Sequence, residues 1–138
     1  MNKMINRFKI CDFRFYPYLE SVFVRLPERV QERVLNDTRF QILTDEDILS
    51  VCVLRYEFRA PVKVLIYLSS KILAKPAYQI IYSIAHEIAK YILSVVKTET
   101  EFHEKDIEDL LMQWRFEKEV EAVRNGRVIT ESEAYKMG

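Results

Sequence analysis

"PAYQIIYSIAHEIAKYILSVV", residues 76–96, is the stretch on which the fold turns. Pro76 suits the start of a helix, where its missing N–H has no partner to lose and its fixed φ already matches. On a 3.6-residue wheel Gln79, Ser83, His86, Lys90, Ser94 and, just beyond the stretch, Lys97 follow one another at steps of three or four. They form one narrow polar stripe. Every other position is Ile, Leu, Val, Ala or Tyr, except Glu87 at the stripe's border and Pro76 itself. A helix apolar on nearly all sides belongs in the middle of a domain, so its stripe must face solvent or a cleft.

The surroundings of this helix predict an α+β domain. Upstream, "FYPYLESVFVRLPERVQERVLND" (15–37) reads as one or two helices, with Leu26, Val30, Val34 and Leu35 at helical spacing and Pro27 in the first turn of the second. "TRFQILT" (38–44) is short and alternating, as in a strand, and "DEDILS" (45–50) is a turn or a helical turn. "VCVLRYEF" (51–58) and "APVKVLIYLSS" (60–70) are rich in β-branched and aromatic residues and read as antiparallel strands joined around Ala60-Pro61. Downstream, Thr98 and Glu101 have capping-box spacing, which starts another helix near residue 99 with Ile107, Leu110, Leu111 and Trp114 on one face. The apolar phase slips around "WRFEK" (114–118), which predicts a break, and Asn125-Gly126 ends the helix. Residues 127–138 read as a loose tail. Strands followed by helices, with no repeat or linker, give a single α+β domain over 1–138 with a small, mainly antiparallel sheet.

His86-Glu87 sits at the centre of the stripe, and the pair carries recognisable chemistry. Two imidazoles one helical turn apart can aim at one Zn²⁺, while the Glu beside the first reaches the metal-bound water as general base. The second imidazole of such an H-E-x-x-H pattern would fall at position 90, where this chain has Lys90. A protonated Lys has three donors and no lone pair to give a metal.

"YSIAHEIAKYIL" (82–93) resembles the active-site helix of the small prokaryotic zincin-like metallopeptidases, whose pattern runs approximately A-H-E-[IL]-A-H-x-[IL]-L. His86, Glu87, the Ala residues and the apolar positions match; the second His does not. The resemblance extends over about residues 26–120. "KVLIYLSSKIL" (63–73) is similar to the strand that edges the substrate cleft, and "EKDIEDLLMQW" (104–114) to the helix that supplies an acidic third ligand. It implies a zincin-like fold, Glu87 as general base, His86 as a metal ligand, zinc as the cofactor, and an acid from the later helix: Asp106 first, with Glu104 and Glu108 as alternatives. The same three acids also fit a solvated first turn, where carboxylates favour the helix dipole.

Lys90 leaves three readings open. In one, the site has lost its metal, and the Lys90 ammonium fills the gap by pairing with Glu87 and an acid of the later helix. In another, His86, His103 and an acid such as Asp106 rebuild a ligand set, since positions 103 and 106 share a helical face. In the last, His86-Glu87 is coincidental and the chain is a non-enzymatic module that binds a protein or peptide, for which eight Tyr, eight Phe and one Trp are suited. The reading that joins motif and departure is a metallopeptidase-related protein, catalytically impaired or inactive.

Composition excludes several other classes. With 138 residues the chain can bury a real core. Acidic and basic residues balance at 21 each, so net charge points to neither nucleic acid nor a membrane surface. "NRFKICDFRFYPY" (6–18) interleaves basic and aromatic residues but fits a half-exposed strand or helix entry equally well. Two Gly in the whole chain rule out a Gly-rich phosphate loop and a G-x-S-x-G elbow. Cys11 and Cys52 form no C-x-x-C and sit among apolar neighbours, as buried thiols do in a reducing cytosol. The 77–96 stretch carries too many polar residues to span a membrane, and the N-terminus has no apolar run of signal length, so a cytoplasmic location is expected.

Overall fold

The computed structural model describes Phe8, Ile10 and residues 12–38, 40–44, 64–96 and 102–125. The chain divides into two compact units, Met1–Lys75 and Pro76–Gly138.

The first unit opens on a 3₁₀ turn, Phe13–Phe15, begun by Asp12, whose carboxylate accepts from the backbone N–H of Arg14 and from its guanidinium at 2.7 and 2.9 Å. Helix α1, Tyr16–Arg25, buries Leu19, Val22 and Phe23, which lie on one stripe. It stops because Leu26 precedes Pro27 and is pushed to an extended backbone, φ −66° and ψ 141°. Helix α2, Glu28–Asn36, follows at once and buries Val30 and Val34. The 15–37 stretch is thus two helices, with Pro27 one residue outside the second. Gln31 ties them together: its side-chain amide donates to the carbonyl of Leu26 and to that of Phe23, which also accepts the Leu26 N–H. Phe8 packs against Phe23 and Phe40 with ring centroids 6.1 and 5.8 Å apart.

Strand β1, Phe40–Thr44, pairs with β2, Val64–Leu68, in register from Phe40↔Val64 to Thr44↔Leu68. The two run parallel, which corrects the expectation of a mainly antiparallel sheet for the described strands. The reason lies in the connection. A hairpin needs as few as two residues, whereas residues 45–63 supply the dozen or more that a parallel crossover demands. The expected strand at 51–58 and its hairpin with 60–70 fall outside the described residues. Along β2, Ile66 and Leu68 are buried while Leu65 and Tyr67 are about half exposed, the alternation of a strand with one inward face. A 3₁₀ turn, Ser70–Ala74, closes the unit. Among the described residues the architecture is helix-dominated with a small parallel strand pair, in keeping with α+β at that level.

The second unit begins with α3, Ala77–Tyr91, which buries Ile80, Tyr82, Ile84, Ala85, Ile88, Ala89 and Tyr91. Its apolar residues are hidden nearly all round and the stripe of Gln79, Ser83, His86, Glu87 and Lys90 is partly exposed, as its sequence pattern requires. The helix does not stay regular to residue 96. At Ile92–Val96 it widens into a π turn. The Ile92 N–H is shared between the carbonyls of Ile88 and Ala89, and the Ser94 hydroxyl donates back to the Lys90 carbonyl at 2.7 Å, a bond that competes with the backbone ladder. Helix α4, Glu104–Gln113, packs on α3 and buries Ile107, Leu110 and Leu111. Its cap is His103 rather than Thr98: the His103 backbone N–H donates to Asp106 at 2.7 Å. Residues 97–101, where the earlier start was expected, lie outside the described set. Among the described residues no helix is long and apolar enough to cross a membrane.

The phase slip at 114–118 is a closed helix end. The Phe116 N–H bonds to the Leu111 carbonyl at 2.9 Å and that of Arg115 to Met112 at 3.1 Å, a Schellman pair, before helix α5 runs over 117–125. Leu111 and Phe116, the two positions whose apolar contact commonly accompanies this motif, are both fully buried. Arg115 takes φ 67°, a left-handed conformation that a Cβ disfavours and glycine does not. Arg115→Gly is therefore expected to raise stability by about 1 kcal/mol. A rise in the denaturant midpoint at unchanged slope would bear this out, and a fall would show that the Arg115 side chain contributes more than its backbone costs.

Candidate functional site

The site grows from the polar stripe of α3 and the first turn of α4. His86 is held on α3 with its side chain mostly buried, about 18% exposed, and its Nε2–H donates to Glu104 Oε1 at 2.7 Å. Glu104 is the first residue of α4, where a carboxylate is favoured by the unpaired N–H groups and the positive end of the helix dipole. The other imidazole nitrogen, Nδ1, lies 3.9 Å from Glu87 Oε1, and the same Glu87 oxygen lies 3.6 Å from Lys90 Nζ. Tyr82, one turn before His86, sets its ring 5.6 Å from the imidazole and reaches Glu104 Oε1 with its hydroxyl at 3.4 Å. Farther along, Arg124 of α5 pairs with Glu108 of α4.

The residues singled out in the sequence are thus sorted by the fold. His86, Glu87 and Lys90 come together with Glu104. Asp106 is used at home, as the cap of its own helix. Glu108 is turned to Arg124, and His103 is the exposed cap residue. His86, His103 and Asp106 are not brought together, and among the described residues no three His, Cys, Asp or Glu side chains form a group that could hold a metal ion. Tyr82 was not singled out, although its position four residues before His86 put it on the same face.

The donor set does not suit zinc. Lys90 stands where a second imidazole would be needed, and its ammonium has no lone pair. His86 and Glu104 meet directly at 2.7 Å, the length of a charge-assisted hydrogen bond.

Charge explains the arrangement. With His86 protonated, the imidazolium and the Lys90 ammonium balance the carboxylates of Glu87 and Glu104. Glu87 foremost and Glu104 after it hold the His86 pKa above its ordinary 6.5, against partial burial that pulls it down. Glu87 is itself held below its ordinary 4.5 by His86, and then by Lys90, against burial. A general base works best with a pKa near the operating pH. Glu87 is displaced the other way.

No family model, characterised protein or solved structure matches this chain.

The sign of the pH dependence follows. The stability that His86 contributes is fully present below pH 6.5 and is lost as pH rises through its folded pKa; that of Glu87 is present above pH 4.5 and is lost as pH falls through its own. Because Glu104 is more than half exposed, the His86 contribution is on the order of 0.5–1 kcal/mol. Between about pH 6 and about pH 9 the wild-type denaturant midpoint is expected to fall, and Glu104→Gln to flatten that fall. An NMR titration should place His86 above 6.5 in the wild type and lower in Glu104→Gln. A His86 that titrates identically in both would remove Glu104 from the site.

Proposed function

We propose that this chain is a non-catalytic relative of the zincin-like metallopeptidases, one that keeps the His-Glu helix and has an internal cation, Lys90, in the place of the metal. The observation that carries the reading is the 2.7 Å contact between His86 Nε2 and Glu104 Oε1. In the resemblance, an acid of the following helix joins the first imidazole of the motif, and here one does. Lys90 beside Glu87 supplies positive charge to the carboxylates that an ion would otherwise neutralise. The lowered pKa of Glu87 adds to this, because a carboxylate tied to two cations is a poor acceptor for a water proton.

A second reading is a non-enzymatic protein-interaction module in which His86-Glu87 is an ordinary part of a helix pair. It is favoured by the capping role of Asp106 and the Arg124–Glu108 pair, which show acids of α4 engaged in plain structural contacts.

Metal content and peptide hydrolysis test the non-catalytic reading, and the Lys90→His variant separates it from the interaction module. Metal analysis of protein purified without added metal is expected to find no stoichiometric zinc, and peptide hydrolysis is expected to be absent with or without a chelator. Stoichiometric zinc, or hydrolysis that Glu87→Gln abolishes, would overturn the non-catalytic reading. In Lys90→His, the scaffold reading expects zinc to bind at one equivalent and to be lost again in the double variant with His86→Ala. A folded Lys90→His protein that binds no zinc would dissolve the kinship and leave the interaction module.

A further inference from the structure

We draw no further inference here: the strongest candidate, the exposed apolar face that Leu65 and Tyr67 give to β2, rests on exposure alone, because nothing in the structure shows what covers it.

Discussion

A charged stripe on a helix whose other sides are buried has to be neutralised by its nearest neighbours, and this requirement organises the second unit. α3 cannot turn His86 and Lys90 away without exposing Ile84, Ala85 or Ile88, all of which are fully hidden. The answer is one carboxylate from its own turn, Glu87, and one from the next helix, Glu104. Magnitudes decide which force holds the helices and which only tunes them. Ile107, Leu110 and Leu111 each bring about 1.5–3 kcal/mol of apolar burial to α4, whereas a half-exposed ion pair adds about 1 kcal/mol at most. Apolar contact fixes the packing, and the ion cluster selects what the polar stripe looks at.

The chemistry follows from the same balance. An imidazole flanked by two carboxylates is a proton holder, and a carboxylate flanked by an imidazolium and an ammonium is a weak base. Metal-assisted hydrolysis would ask instead for a neutral imidazole with a free lone pair and a carboxylate ready to take a proton. Position 90 is where the two designs part: an imidazole there would add a lone pair, while the ammonium adds a charge.

Much of this was legible in the residues. Pro76 and the apolar periodicity marked α3, Pro27 marked the start of α2 to within a residue while one or two helices stayed open for 15–37, and the phase slip at 114–118 marked the helix end where Arg115 turns left-handed. Strand direction was not legible, because a five-residue alternation looks the same read either way; only the 45–63 connection bore on it. The α4 start was misplaced because Thr98 with Glu101 and His103 with Asp106 have the same spacing, and His is an uncommon cap residue. The acid was placed by the resemblance to the ligand helix, an alignment good to a residue or two. On a helix one residue is 100° of rotation, so an uncertainty of two positions exchanges Glu104 for Asp106. The partner of His86 was therefore within reach of sequence reading, but its identity required the register of α4.

The parallel pairing of β1 and β2 reaches into how the chain acquires its shape. Every rung of that ladder joins residues 24 apart, from Phe40↔Val64 to Thr44↔Leu68. Closing a loop of that length costs roughly 2.8 kcal/mol in chain entropy beyond a constant before the first rung returns anything. Two five-residue strands do not repay that alone. The inward residues Phe40, Ile42, Ile66 and Leu68 must do so by finding a ready apolar surface, which makes the ladder a late guest of the core.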